Sequence, residues 1–463
     1  MRWPCISPEH TKSRSHLPVF RWRAARPEPL DIHYKRGALH MRRVVVTGVG
    51  PVTAAGIGSA FWENILGNRS HVTRNKLFTP SPGQATAAAS FNLEEVVSTA
   101  SRVPHWKTVE HRLKRLENRD LHFLPNRTIY SVLAATQLAL EDSGLDEQLL
   151  EANRENIGSI VGNTCGDSAN IFDGKPSTMY TALNPAHGPA GAISMAFGFN
   201  GAAQGAAAAC ASGNIAIINA VEKILLGRTP LMLAGGTSAV IHQDVGWESY
   251  NRLGVLVQKD VPPELLYSSC DQDSDGFVLG EGAGMLVLEE LEHALARKAR
   301  IYAEVLSYSQ RMFPTRMMVD VDEHGYSYVI QEVLHRAGLE PRDLGNQLLY
   351  LNLHGTGTKQ GDNAELTAIR NTFDASQLGT SVFASSTKPA YGHTQESSAA
   401  IESIICALSL HHGVMPGSPN LKNPIHPGGF LLQKPKQLDY PLALNLAAGF
   451  AGYHTAVLFK KYT

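Results

Sequence analysis

The sequence lacks long hydrophobic runs and carries almost no net charge. No run of about twenty apolar residues, the length that a transmembrane helix needs, is free of Gly, Pro, Asn, Gln and His. The formal net charge of −1 gives no general attraction to nucleic acid or to an anionic membrane. These absences predict a protein with no membrane span and no nucleic-acid partner.

Paired cysteines are also absent. The cysteines are odd in number, widely spaced and without a CxxC pair: Cys5, Cys165, Cys210, Cys270 and Cys406. This distribution argues against a disulfide framework and against a zinc site, and it favours a reducing compartment. We therefore predict a cytoplasmic protein.

Charged side chains are missing from one long internal segment. Residues 176–221 contain no Asp, Glu, Lys or Arg, so the segment is predicted to be packed on all sides in the middle of the molecule. Cys210 lies inside it, just before an apolar helical pattern that ends near Gly227. Because a helix N-terminus favours an anion, Cys210 is a candidate thiolate nucleophile. The alternative is that Cys210 is an inert packing residue, as many buried cysteines are.

Residues 1–41 differ from the rest of the chain. They are rich in Arg, Pro and His, contain few acidic residues and show no hydrophobic period. The Arg content would suit a transit peptide, but the prolines disfavour an amphipathic helix, and no hydrophobic region of a secretory signal is present. We expect that residues 1–41 are a leader that is disordered or not part of the fold.

From residue 42 onward, apolar β-branched runs alternate with helical patterns. This order predicts an α/β protein, and the first run has the composition of a strand that is buried on both faces. The same order of elements recurs after about residue 300. We therefore predict two related halves, residues 42–300 with the cysteine and residues 301–463 with two unusual histidines.

Those two histidines lie at glycine-flanked corners between a strand and a helix. His354 ends an apolar strand and is followed by Gly-Thr-Gly-Thr, and His393 precedes a long helical pattern, five residues after Lys388. The ends of buried strands are where α/β sheets present ligands. Either histidine alone would more often be a core or turn residue. Two such corners together with Cys210 favour a catalytic site.

Together these motifs resemble the β-ketoacyl-acyl-carrier-protein synthases of the thiolase superfamily, in the elongating group of fatty-acid and type II polyketide synthases. The resemblance runs from about residue 42 to the C-terminus and rests on the opening strand, on Gly361-Asp-Asn-Ala-Glu365 and on five further motifs. These are Ala-Cys210-Ala-Ser-Gly, Asp275-Gly-Phe-Val-Leu-Gly-Glu-Gly-Ala-Gly, Asn-Leu-His354-Gly-Thr-Gly-Thr, Lys388-Pro-x-x-Gly-His393 and a final Gly-Phe-x-Gly loop. The resemblance implies a five-layered αβαβα fold that is made of two thiolase-like halves.

The resemblance also implies a reaction. Cys210 would accept the acyl chain from an acyl carrier protein as a thioester, and the backbone N–H groups of Cys210 and Phe450 would hold the oxyanion. His354 and His393 would bind the malonyl thioester carbonyl and favour decarboxylation to a carbanion that attacks the acyl-cysteine. This is a decarboxylative Claisen condensation, and the resemblance implies no metal or redox cofactor for it.

Supporting residues and partners follow from the same resemblance. Lys388 would organise the site electrostatically, with Glu365 in support. The partners would be acyl carrier protein carrying acyl and malonyl groups, and either a second copy of the chain or a related subunit, which makes a homodimer or a heterodimer. The loop that gates the acyl pocket in the family corresponds to Ala448, Gly449, Phe450, Ala451 and Gly452.

The sequence departs from the family pattern at several of these positions. Glu396 stands where the family usually has Gly, and Ser274 where it usually has Arg. In and after the gating loop, the usual Phe, Gly, Thr and Asn are replaced by Ala448, Ala451, Tyr453 and His454. These departures favour a specialised synthase of a polyketide, polyene or other secondary pathway over a housekeeping fatty-acid enzyme.

Two other functions stay open. One is a non-catalytic partner subunit, like a chain-length factor, that shapes a cavity for an active synthase. The presence of Cys210, His354 and His393 argues against it, but the altered loops keep it open. The other is an acyltransferase that uses Cys210 on a different acceptor without decarboxylation.

Overall fold

The computed structural model describes residues 42–76, 79–80, 83–104, 127–164, 184–241, 244–314, 322–342, 344 and 347–463. The expectations for the leader 1–41, and for Cys5 and Cys165, lie outside these residues. Residues 42–463 form one unit. None of the helices in the described part of the chain is long and apolar enough to cross a membrane.

The strands alternate with helices along the chain, as predicted. The strands are β1 (Val44–Thr53), β2 (Gly56–Ile57), β3 (Thr73–Arg74), β4 (Ala87–Ala88), β5 (Gly158–Gly162), β6 (Ala203–Ala206), β7 (Leu231–Ser238), β8 (Gly282–Glu290), β9 (Ala303–Met312), β10 (Leu349–Asn352), β11 (Val382–Ser385), β12 (Val414–Met415), β13 (Lys436–Gln437), β14 (Leu442–Gly449) and β15 (Tyr453–Lys461).

The helices range from one turn to nearly five. They are α1 (Ser59–Leu66), α2 (Leu93–Ala100), α3 (Arg127–Ser143), α4 (Glu147–Asn153), α5 (Gly188–Phe197), α6 (Ser212–Leu225), α7 (Asp244–Arg252), α8 (Pro263–Leu266), α9 (Leu291–Ala296), α10 (Glu323–Arg336), α11 (Lys359–Thr372), α12 (Lys388–Tyr391) and α13 (Ser398–His412), with 3₁₀ turns at Gln395–Ser397 and Phe450–Gly452.

One large sheet contains the same five-stranded pattern twice. Its strand order is β11-β10-β14-β15-β9-β1-β8-β7-β5-β6. In the set β11-β10-β14-β15-β9 the first two pairings are parallel and the next two antiparallel. The set β6-β5-β7-β8-β1 has the same sequence of pairings. The two sets meet where Val45 and Val46 of β1 pair with β9.

Helices cover both sets of strands and fill the space between them. The helices α3 and α5 pack on the first set, and α10 packs on the second set and carries α11. Between the sets, α6 contacts β7 and β15, while α13 contacts β8 and β14. This arrangement confirms the predicted α/β class and the thiolase-like αβαβα layers. The domain boundary near residue 300 stays a prediction, since β1 and β9 join the two halves edge to edge.

The charge-free segment is not buried throughout. Its helices α5 and α6 are packed into the core, but residues 202–205, which include most of β6, are exposed. The prediction that the whole segment is packed on all sides is therefore wrong at this edge. The reason is position, because β6 is the outermost strand of the first set and pairs with β5 on one side.

A buried carboxylate stabilises the C-terminal end of β8. Glu289 accepts hydrogen bonds from Arg297 Nε at 2.9 Å and from the Thr47 hydroxyl at 2.5 Å, and its Oε1 lies 2.6 Å from Nδ1 of His293. Burial alone would raise the pKa of Glu289, but the hydrogen bonds from Arg297, His293 and Thr47 outweigh it and lower the pKa to about 2. The charged form is therefore the one that the fold stabilises.

We expect Glu289→Gln to destabilise the protein by about 3 kcal/mol near neutral pH, because it leaves the Arg297 guanidinium without its buried counter-charge. Chemical denaturation measures this loss, with Glu292→Gln, an exposed residue of α9, as the matched control. The contribution of Glu289 is fully present above the unfolded pKa of about 4.3 and is lost as the pH falls towards about 2. If the loss of unfolding free energy in Glu289→Gln, relative to wild type, did not become smaller below pH 4, this account would be contradicted.

Candidate active site

Cys210 lies at a tight corner between β6 and α6. Ala209 has a φ of 49°, which is uncommon for a residue with a side chain. The Ser212 hydroxyl accepts the Ala208 N–H at 2.8 Å and donates to the Ala209 carbonyl at 2.6 Å. These bonds fix the corner, so that Cys210 stands two residues before the first residue of α6.

The first turn of α6 touches the first turn of α13. A Cβ added to Gly213 would lie 2.5 Å from the backbone nitrogen of Ala400. This is closer than a Cβ atom comes to an atom to which it is not bonded. Only glycine therefore allows the two central helices to meet at this point. The contact brings Cys210, from the first half of the chain, next to the segment that carries His393.

Cys210 is a thiol in the resting structure. Burial raises the pKa of the Cys210 thiol to about 12, the negative charge of Glu396 acts in the same direction, and the Lys388 ammonium opposes both. The helix N-terminus is present as predicted, but burial opposes the anion that this helix end would favour. Removing the sulfur from water penalises its charged form more than the helix end stabilises it.

His354 and His393 line the same cavity as Cys210. Their ring centroids are 5.8 Å apart, and the ring planes are nearly perpendicular at 84°. Burial lowers the pKa of both imidazoles well below the usual range, and the Lys388 ammonium acts in the same direction. Both rings are therefore neutral at pH 7 and can each donate one N–H hydrogen bond.

The surroundings of His393 fix its orientation. Its Nδ1 lies 2.9 Å from the Ser398 hydroxyl, and its ring packs edge-on against Phe277 with centroids 5.0 Å apart. Its backbone N–H donates to the Val278 carbonyl at 2.7 Å. When the Ser398 hydroxyl donates to Nδ1, the proton of the neutral ring sits on Nε2, as a donor for a bound group.

Two buried carboxylates hold the loop that presents His354. Glu365 accepts the backbone N–H groups of His354 and Gly355 at 2.7 and 2.8 Å. Asp362 accepts those of Gly357 and Cys270 at 2.9 and 2.6 Å. Burial raises the pKa of Glu365 to about 8, against the hydrogen bonds that lower it. Through its two hydrogen bonds to backbone N–H groups, Glu365 positions the main chain at His354. It does not contact the imidazole.

Lys388 forms a fully buried ion pair. Its ammonium contacts Oε1 of Glu402, and both side chains are 0% exposed. Glu402 lies in α13, in an otherwise apolar stretch of the helix. The sequence suggested Glu365 as the companion of Lys388, whereas the direct partner is Glu402. Lys388 thus acts on the histidines and on Cys210 through its charge and not by lining the cavity.

The cavity has a volume of about 240 Å³. Besides Cys210 and the two histidines, the loop at the end of β14 contributes Ala448, Gly449 and Phe450. Ala451 and Gly452 follow in the 3₁₀ turn, where Ala451 adopts a φ of 68°. The structure therefore brings the predicted gating loop to the cavity through its first three residues.

Several lining residues were not singled out by the motifs. They are mostly aromatic or amide side chains and include Gln395, Tyr326 and His454. The His454 ring packs edge-on against Tyr326 at 4.8 Å, and a Cβ at Gly325 would lie 2.4 Å from it. His454, where the family usually has Asn, is thus accommodated by a glycine on α10. The sequence singled out Glu396 but not its neighbour Gln395, whose contacts only the fold shows.

Known proteins match the chain over nearly its whole described length. The family described as Beta-ketoacyl synthase, N-terminal domain, matches residues 41–294, and its C-terminal domain matches residues 302–422. The mitochondrial 3-oxoacyl-[acyl-carrier-protein] synthase of Arabidopsis thaliana is 30% identical over 440 residues, which cover 90% of this chain and 93% of that protein.

Solved structures agree with the sequence match. A beta-ketoacyl synthase from Burkholderia phymatum superposes with a TM-score of 0.77 at 27% identity, over 91% of this chain and 100% of the other. The ishigamide ketosynthase/chain length factor gives a TM-score of 0.76 at 26% identity, with the same coverage. Since the two domain matches span most of the sequence, this chain belongs to the β-ketoacyl synthase family.

Proposed function

We propose that the protein is a β-ketoacyl-acyl-carrier-protein synthase that joins an acyl thioester to malonyl carrier protein by decarboxylative Claisen condensation. One observation carries the proposal: Cys210, His354 and His393 line a single buried cavity, although they come from three separate corners of the chain. A nucleophile and two neutral donors in one enclosed space suit a reaction in which negative charge develops on a thioester oxygen.

The first step transfers the acyl group. The Cys210 sulfur attacks the carbonyl carbon of the carrier thioester, a new C–S bond forms, and the bond to the carrier sulfur breaks. The thiol proton leaves with the carrier thiol. The backbone N–H groups of Cys210 and Phe450 hold the oxyanion in this role, and both residues line the cavity. Two such donors typically stabilise a tetrahedral intermediate by several kcal/mol.

The second step forms the carbon–carbon bond. Malonyl carrier protein loses CO2, and the electron pair moves onto the α-carbon and the thioester oxygen, which His354 and His393 stabilise as donors. The carbanion then attacks the acyl-cysteine carbonyl, and the Cys210 sulfur leaves as a thiolate that takes up a proton from water. Lys388 and Glu402 are a buried pair behind this site, and Glu365 holds the His354 main chain. The two thioesters and one proton from solvent are therefore converted to the β-ketoacyl thioester, the free carrier thiol and CO2.

The test is reconstitution with a panel of acyl carrier proteins, followed by intact-protein mass spectrometry. A mass gain on Cys210 that disappears when malonyl carrier protein is added, with release of CO2 and a carrier-bound β-ketoacyl product, supports the proposal. Loading without CO2 release would favour the acyltransferase alternative. No loading by any donor, from folded protein, would favour a partner subunit like a chain-length factor.

The altered loops support a specialised pathway. Glu396 is buried beside Cys210, and Oε1 of Glu396 accepts the Thr164 hydroxyl. A side chain of this size and charge in place of glycine changes the space around an acyl group on Cys210. We infer that the synthase serves a polyketide or other secondary pathway, and the acyl chain that loads fastest in the panel will show which substrate class it takes.

The second partner is a further subunit that pairs along β6. This strand is uncharged, exposed and at the edge of the sheet, and such edges are normally covered or blunted by charge. We expect a dimer by light scattering, either with itself or with a related chain. Ala203→Lys, which places a charge on this edge, is expected to shift the protein towards monomer. Leu295→Lys changes an exposed side chain of α9 and should leave the dimer intact. Equal molecular masses for the two variants by light scattering would contradict this interface.

A further inference from the structure

The Gln395 side chain lies between the nucleophile and the segment that carries His393. Its Oε1 is 3.6 Å from the sulfur of Cys210, which is within hydrogen-bonding distance for a thiol. The side chain is buried and lines the cavity. Because the sulfur carries its proton in the resting structure, the thiol is the donor and the amide oxygen the acceptor.

Two other contacts fix which end of the amide faces the thiol. The Tyr250 hydroxyl donates to Oε1 at 2.9 Å, and Nε2 donates to the backbone carbonyl of His393 at 3.4 Å. The backbone carbonyl can only accept, so the amide nitrogen must face it and the oxygen lies towards Cys210, where the Tyr250 hydroxyl can donate to it. Tyr250 is held in turn by Phe277, whose ring also packs against His393.

The main chain at Gln395 is strained in a way that serves this contact. Gln395 has a φ of 48°, in the left-handed region that residues with side chains seldom adopt. The Ser397 hydroxyl donates to the Thr394 carbonyl at 2.8 Å and closes the turn. A strained, closed turn that places one amide against the nucleophile indicates that the placement is functional.

We propose that Gln395, oriented by Tyr250, is a positioning residue for acyl transfer: its amide oxygen accepts the Cys210 thiol proton and holds the sulfur in one rotamer beside the two histidines. The inference rests on the proposed function, since it concerns the first of its two steps. During that step the S–H···O bond breaks, the sulfur forms its bond to the acyl carbon, and the proton leaves with the carrier thiol. Gln395 then keeps its bond from Tyr250, and decarboxylation at the histidines does not use it.

The same contact affects the ionisation of the thiol. A hydrogen bond donated by the neutral thiol stabilises the protonated form, as the negative charges of Glu396 and Glu402 also do, while Lys388 acts in the opposite direction. Loss of the acceptor therefore makes the sulfur ionise at lower pH. Without the acceptor, acyl loading should be slower because the sulfur is less well positioned, but the thiol should ionise more readily. Measuring loading and ionisation separately therefore distinguishes the two roles.

The experiment compares Gln395→Met and Tyr250→Phe with wild type in three assays. Acyl loading is followed by mass spectrometry, malonyl decarboxylation by CO2 release, and alkylation of Cys210 by iodoacetamide as a function of pH. We expect loading to slow about three- to tenfold, as for loss of one hydrogen bond, and decarboxylation to slow by less than loading. The midpoint of the alkylation profile of Gln395→Met should move to lower pH.

Tyr328→Phe, on a half-exposed tyrosine away from the cavity, is the matched control, and Tyr250→Phe removes a single oxygen if Gln395→Met folds poorly. Loading and alkylation profiles equal to wild type in both variants would overturn the inference, as would faster loading together with faster alkylation. A wild-type protein that loads no acyl group would instead overturn the proposed function, so the two failures are distinguishable.

Discussion

Cys210→Ala is expected to abolish condensation, with a loss of about three orders of magnitude or more, as when the nucleophile of a covalent mechanism is removed. The variant should form no acyl adduct with any carrier protein. Release of CO2 from malonyl carrier protein should persist, because the donors for that step are on His354 and His393. Mass spectrometry for the adduct and CO2 detection for the second step measure the two outcomes separately.

Cys406→Ala is the matched control. Cys406 is also a buried free cysteine, but it lies on α13 in the hydrophobic core of the protein. It should retain condensation, at the cost of some stability from the cavity left by the sulfur. Condensation by Cys210→Ala at the wild-type rate would show that the site is wrongly assigned. Loss of activity in both variants would point to general damage of the core.

His354→Ala is expected to lower malonyl decarboxylation by about 100- to 1,000-fold, the usual effect of removing one donor to a developing oxyanion. Acyl loading on Cys210 should remain close to wild type, since the acyl oxyanion is held by backbone N–H groups. Because burial lowers the pKa of His354 and of His393, neither ring becomes protonated near its ordinary pKa of about 6.5. Neither histidine should therefore give a step in the wild-type decarboxylation rate there.

The control for this variant is His411→Ala, since His411 packs against Tyr302 outside the cavity. CO2 release from labelled malonyl carrier protein over a range of pH gives both the rate and its pH profile. A rise or fall centred near pH 6.5 that disappears in His354→Ala would mean that this histidine titrates during the step. One that persists would belong to the buried carboxyl groups of Asp362 and Glu402, whose pKa values burial raises to about 6 and about 7. Unchanged decarboxylation in His354→Ala would remove this residue from the mechanism.

Much of the fold was predictable because apolar runs of the right length are separated by glycine and charged residues. The predicted alternation of strands and helices after residue 42 is observed, and the long helical pattern that follows His393 is the helix Ser398–His412. The helix Gly188–Phe197 was missed, because a segment of Ala, Gly and Pro with few charges shows no hydrophobic period. The exposure of β6 was also missed, since the lack of charge on a strand does not say whether a partner covers it.

The site was predictable where residues sit next to glycines at corners, and not where contacts cross the chain. Cys210, His354 and His393 were each found from their local sequence and lie around one cavity. The partner of Lys388 was not found from the sequence, because Glu402 is fourteen residues away. A single acidic residue in an apolar helix does not indicate which basic residue it pairs with. Gln395 and Tyr250 are 145 positions apart, so only the fold shows that they act on the same sulfur.

The order of the two five-stranded sets along the chain has a consequence for biosynthesis. The strands of the first set all lie between residues 44 and 290, so that set can pair while the second half is still being made. The helix α13, which contacts β7 and β8 of the first set, is made only after β9, β10 and β11 of the second set. Until it arrives, the half that carries the nucleophile presents an uncovered apolar face. The first half therefore exposes apolar surface while the second half is being made, and the cavity around Cys210 is complete only after residues of the second half have joined it.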